Sequence, residues 1–218
     1  MIILLTNIVL LFCCYLMTSC IVPQSTHRES TFHLLSKSSL DLNKSSKLNT
    51  ELGDRNLAEL QNTFYLRQIE LPYYLQENRI INRPSSGKIE FLENERWGEP
   101  LAEGIGRVLG LNLSQMLNSP FYSVFPHRQK VGTRFEVGVN INRFERVAGS
   151  KVLFEGTWQL FANDLKKGSH PIMNGKESVL VEIHSSKNGS EIVKEVLALS
   201  KTLHILAEQI SIAIVRQN

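Results

Sequence analysis

The stretch that decides the fold is Arg134-Phe-Glu-Val-Gly-Val-Asn-Ile-Asn-Arg-Phe-Glu145, followed by Ala148-Gly-Ser150 and Lys151-Val-Leu-Phe-Glu-Gly-Thr-Trp-Gln-Leu-Phe-Ala162. In its first half Phe135, Val137, Val139 and Ile141 alternate with Glu136, Gly138, Asn140 and Asn142. In its second half Val152, Phe154, Trp158, Leu160 and Ala162 alternate with Glu155, Thr157 and Gln159. Successive side chains of a strand point to opposite faces, so a period of two means one buried face and one wet face. The Gly-containing turn between the halves then predicts a long antiparallel hairpin.

Elements on either side can be read outward from this hairpin. Glu177 to His184 predicts a further strand, and residues from about Glu191 to Val215 predict a long amphipathic helix. Its stripe is Ile192, Val196, Leu199, Leu203, Leu206, Ile210 and Ile214, with Lys194, Glu195, Lys201 and Glu208 expected on the opposite side. Such a stripe can serve as a coiled-coil seam, but about three heptads are the minimum for one. A helix packed on a sheet explains it more simply.

Upstream, Phe64 to Leu71 predicts a strand stopped by Pro72, and Lys88 to Leu92 another after the turn Pro84-Ser-Ser-Gly87. Pro100 stands where a second helix begins, with Glu99 and Glu103 near the positive end of its dipole. Leu101, Ile105, Leu109, Leu113, Met116 and Leu117 then recur at helical spacing up to Asn118-Ser-Pro120. Thr31 to Leu35 reads as a short strand, and residues 36–56 as a long exposed, mobile loop. The expected fold class is α/β: a mixed, mostly antiparallel sheet with two main helices packed on it, forming a single domain over 31–218.

Residues 1–19 form a different kind of segment, apolar almost throughout and without a charge. A short apolar stretch ending in small residues is the pattern of a signal peptide. Its end, Thr18-Ser19-Cys20, resembles a lipobox, in which the Cys becomes the lipid-modified N-terminus. Cys20 is therefore the expected lipidation site. The alternative is an uncleaved helical anchor, since about 20 apolar residues can span a bilayer. Both readings tether the body to a membrane.

Residues 20–30 are expected to act as the tether, and ten residues reach at most roughly 35 Å. Cleavage before Cys20 would remove Cys13 and Cys14, leaving 199 residues and no internal disulfide. A domain of that size can build its own core without one.

Composition is that of an ordinary globular protein, with 42% hydrophobic and 21% charged residues. A net charge of +3 with no Lys/Arg cluster argues against a nucleic-acid partner. The six histidines (27, 33, 127, 170, 184 and 204) form no pair at metal-ligand spacing and read as surface or loop residues. No Gly-x-Ser-x-Gly elbow marks a serine nucleophile. The run Gly104-Ile-Gly106-Arg-Val-Leu-Gly110 lies within a helix and not at a strand-to-helix turn, so its glycines read as close-packing points. No catalytic residue, metal or cofactor is expected.

Two segments carry exposed-looking aromatics beside proline and charge: Leu71-Pro72-Tyr73-Tyr74-Leu75 and Glu93-Asn-Glu-Arg-Trp-Gly-Glu-Pro100. Glu93, Glu95 and Glu99 could do acid–base work, but charges strung along one loop are more often a solvated surface. Trp97 and Tyr74 are either interface anchors or plugs of the core.

These segments, together with Ile80-Ile-Asn-Arg83, Arg143-Phe144-Glu145 and Phe154-Glu-Gly-Thr-Trp-Gln-Leu160, resemble the ABC-type transport auxiliary lipoproteins, the group named for PqiC. The likeness runs from about Thr31 to Val215. It implies a non-enzymatic, lipid-anchored, periplasm-facing protein of the outer membrane. Such a protein would serve a lipid-transport system built on an MCE-domain protein and its membrane permease, supporting envelope integrity.

On that reading the partners are the MCE protein, the permease, the membrane through the acyl anchor, and a second copy of the chain. Pro72, Tyr74, Leu75, Asn94, Arg96, Trp97 and Pro100 are the expected interface residues, the two aromatics in loops after strands. The rival readings are an outer-membrane assembly lipoprotein that chaperones a barrel or lipopolysaccharide, and a periplasmic hydrolase.

Overall fold

Residues Phe135–Val147 form the strand around which the sheet is organised, β6. The computed structural model describes residues 29–37, 62–127, 132–164, 168–184 and 189–217. Residues 1–28, including Cys20, lie outside the described residues, as do 38–61, which hold most of the expected loop. One edge of β6 pairs antiparallel with β7 (Lys151–Asp164), giving the expected hairpin. The far edge of β7 pairs antiparallel with β8 (Gly168–Glu182).

The other edge of β6 is shared between two groups of strands. Its N-terminal end takes the short β2 (Phe64–Leu66) in parallel, with β5 (Tyr122–Val124) outside it. Its C-terminal end takes β3 (Arg79–Ser85) in parallel. Beyond β3 come β4 (Lys88–Trp97), antiparallel, and β1 (Thr31–His33), parallel to β4. The result is an eight-stranded mixed sheet whose longest pairings are antiparallel.

Two helices cover one face of this sheet. The first, α1 (Leu101–Met116), begins directly after Pro100, whose carbonyl accepts from Glu103 N and Gly104 N. Its glycines do pack closely: a Cβ at Gly110 would lie 2.7 Å from Val124 Cγ2, so β5 can approach only a bare backbone. The second, α2 (Glu191–Val215), starts at Ser190, whose Oγ accepts from Val193 N. It packs beside α1 and across β6, β7 and β8.

By length and composition α2 could cross a membrane. Its stripe of Val196, Leu199, Leu203, Leu206, Ile210 and Ile214 is instead buried against the sheet, together with Phe144, Phe154 and Trp158.

Several elements differ from the sequence expectation. Strand β2 stops at Leu66, after which pairing returns only as a bridge between Glu70 and Asn140. Strand β4 continues to Trp97, so the segment expected as a charged loop is the second half of a strand. Strand β8 begins at Gly168, earlier than Glu177, and accommodates Pro171 because an edge strand needs hydrogen bonds on one side only.

Glu195, expected on the wet side of α2, is 1% exposed. It lies three residues after Ile192 and four before Leu199, so the helix period carries it to the border of the buried stripe. His33, expected at the surface, ends β1 within the stretch read as a short strand and is buried, with its Nε2 2.6 Å from Glu95 Oε2.

Candidate functional site

The hairpin's alternation changes phase at a bulge between Ile141 and Arg143. Before it the odd-numbered residues of β6 face the helices, and after it Phe144 does, paired with Phe154. Glu145 therefore points to the opposite face, away from both helices. Its side chain is nevertheless fully buried there, and two arginines cover it.

Arg83 Nε donates to Glu145 Oε1 at 2.5 Å, and Arg143 Nε donates to the same oxygen at 2.9 Å. One buried carboxylate thus holds two guanidiniums side by side. A buried carboxylate without such partners would be strongly destabilising, so the three residues form one unit.

Tyr74 completes the cluster. It stands in a single 3-10 turn, Tyr73–Leu75, that opens directly after Pro72. Its hydroxyl donates to the backbone carbonyl of Asn142 at 3.1 Å, and the Arg83 guanidinium lies 5.6 Å from its ring centre. Burial, reinforced by the Glu145 charge, pushes the Tyr74 hydroxyl pKa up. The hydrogen bond that Arg83 donates to Glu145 raises the pKa of Arg83, so both groups keep their protons.

Beside the cluster runs a groove of about 490 Å³, walled by Tyr74, Arg83, Asn142, Arg143 and the two hairpin turns at Ser85–Gly87 and Val147–Ala148. Tyr73, 88% exposed, stands on the same 3-10 turn as Tyr74.

The seven residues expected at an interface do not share one surface. Leu75 and Trp97 lie in the core at 2% and 6% exposure, and Trp97 ends β4 where a loop was expected. Arg96 is bound by Ser30 Oγ at 3.1 Å and Asn78 Oδ1 at 2.9 Å. Asn94 is half-buried on the same strand, and Pro100 is exposed at the start of α1.

Only Tyr74, with Pro72 before it, joins the cluster. Arg83, Arg143 and Glu145 were absent from the expected set, although all three belong to the quoted motifs. The signal for them was Phe144, which breaks the odd-numbered phase and so requires a bulge.

The carboxylates considered for acid–base work are held elsewhere. Glu95 binds His33, and Glu99 binds Arg107, whose Nη2 also donates to Leu35 O. Glu93 is exposed on β4. Among the described residues, no three His, Cys, Asp or Glu side chains gather as metal ligands.

Comparison with known proteins gives one family and a set of similar folds. The family model for the ABC-type transport auxiliary lipoprotein component matches residues 48–211. The crystal structure of an uncharacterized protein is similar with a TM-score of 0.62 and 17% identity, covering 86% of this chain and 99% of that chain. A Xanthomonas campestris protein of the DUF330 family is similar with a TM-score of 0.56 and 13% identity, covering 71% and 86% respectively. Identity at this level shows a shared fold. No curated protein matches.

Proposed function

The chain belongs to the family of ABC-type transport auxiliary lipoprotein components, and from that membership we propose that it is a non-enzymatic, lipid-anchored docking subunit of an MCE-type intermembrane lipid transporter. Cys20 would carry the anchor on the periplasmic face of the outer membrane, and the folded body would meet the MCE-domain protein, the permease or a second copy of itself.

The observation that supports docking is the convergence of Tyr74, Arg83, Arg143 and Glu145, scattered along the sequence, on one corner of the sheet beside a groove. Buried ionic pairing holds that corner in a fixed shape, so a partner meets it without the entropy cost of ordering it. Tyr73 supplies an exposed aromatic of the kind that anchors interfaces.

The test is affinity purification of the full-length chain from its own membranes, with and without Tyr73→Ala. Recovery of an MCE-domain protein with its permease, diminished by the substitution, is the expected result. Recovery of a barrel protein or lipopolysaccharide instead would favour the assembly-factor reading. Loss of function on replacing one of Glu93, Glu95 or Glu99 by Gln, in a folded protein that keeps its partners, would favour the hydrolase.

A further inference from the structure

We propose that the groove beside Arg83 and Arg143 binds a phosphodiester monoanion. Glu145 supplies the first reason. A carboxylate buried on the open face of the sheet adds nothing to the apolar core, yet it fixes two guanidiniums at the groove wall, both through Oε1 and Arg83 also through Oε2 at 3.4 Å.

Arg143 spends only its Nε on that contact. Its Nη1 stands 3.9 Å from Glu155, beyond hydrogen-bond reach. Among the described residues, both Nη groups of Arg143 are left with donors to offer, and Arg143 lines the groove. Guanidiniums held in place and supplied with unused N–H donors are the usual means of recognising oxyanions.

Charge and shape select the oxyanion. Two arginines face two carboxylates, the buried Glu145 and the part-exposed Glu155, whose Oε2 lies 3.9 Å from Arg143 Nη1. The site therefore has no surplus positive charge to hold a dianion, and a single negative charge meets the least repulsion. A diester carries a single negative charge near neutral pH, whereas inorganic phosphate there is a mixture of monoanion and dianion. A carboxylate presents its two oxygens in one plane, where a single guanidinium can meet both. A tetrahedral phosphate presents oxygens in several directions and suits two guanidiniums with the hydroxyls of Ser85 and Ser86 at the rim. The apolar parts of the wall, Tyr74, Val147 and Ala148, suit the ester carbons.

The chemistry rests on the groove alone. Only the assignment of the diester to a lipid headgroup rests on the transport reading, so failure to co-purify a transporter leaves the groove proposal standing.

The experiment is calorimetric titration of the full chain, purified in a phosphate-free detergent, with dihexanoyl-phosphatidylglycerol, dimethyl phosphate, inorganic phosphate and acetate. Saturable binding of both diesters is expected, with inorganic phosphate and acetate at least tenfold weaker. Tighter binding of the short-chain lipid than of dimethyl phosphate would identify a headgroup as the source, and equal binding would identify a soluble diester.

Arg143→Gln should weaken diester binding at least tenfold while Arg83 still neutralises Glu145. Ser86→Glu, in an exposed turn outside the ion cluster, should do the same by repulsion and serves if the first variant misfolds. Circular dichroism melting verifies the fold of each. Absence of diester binding, undiminished binding in the folded variants, or equal binding of acetate or inorganic phosphate overturns the proposal.

Discussion

The indole of Trp158 lies against the bare backbone of Gly175 on the neighbouring strand, where a Cβ would come within 2.5 Å of Trp158 Cζ2. Trp158 is 5% exposed and its Nε1 donates to Glu177 Oε1 at 3.3 Å, so the ring cannot swing aside without losing both contacts. Gly175→Ala should therefore destabilise the protein by roughly 1–3 kcal/mol, the usual range for overpacking. Urea unfolding followed by tryptophan fluorescence checks this, and an unchanged midpoint would show that the strands slide apart freely.

Glu195 predicts a pH dependence. Burial pushes its carboxyl up to about 7, opposed by Arg146, whose Nη1 is 3.6 Å away. The folded state then holds this proton more tightly than the unfolded chain. Its contribution to stability is full below the unfolded value near 4.5, fades as pH rises, and is lost above about 7. The span corresponds to roughly 3 kcal/mol. Glu195→Gln should flatten this slope, gaining on the wild type between pH 5 and 8. A difference in unfolding free energy that stays constant across that window would refute the assignment.

Trp97 and Tyr74 should separate on truncation. Trp97 is buried among the core residues, so Trp97→Ala should cost roughly 3–5 kcal/mol. Tyr74→Phe removes one hydrogen bond, to Asn142 O, and should cost about 1 kcal/mol. Thermal melting of both variants checks the order, and equal losses would contradict it.

The Thr18-Ser19-Cys20 junction predicts acylation at Cys20. Each buried methylene adds about 0.8 kcal/mol of membrane affinity, and more than one acyl chain makes anchoring stable. Metabolic labelling with a fatty acid should mark the wild type and leave Cys20→Ser unlabelled. Equal labelling of both would place the anchor elsewhere.

The sequence by itself determined the β6–β7 hairpin, both helices and the fold class, because each shows as a periodic pattern within a few turns or pleats of chain. Val137 and Leu160 announce the same buried face from opposite sides of a Gly-containing turn, and they are found paired. The stripe from Val196 to Ile214 announces a helix whatever it packs against.

Only the tertiary structure decided how β2 and β3 divide one edge of β6, since parallel neighbours are joined by long connections that leave no local pattern. It also decided the fate of the charged residues. Whether Glu145, Glu195 or His33 is wet or buried depends on which distant side chain arrives to meet it: Arg83 for Glu145, Arg146 for Glu195 and Glu95 for His33. A carboxylate reads the same in sequence on either side of that outcome, because its burial requires a partner tens of residues away, even where a near neighbour such as Arg143 also binds it.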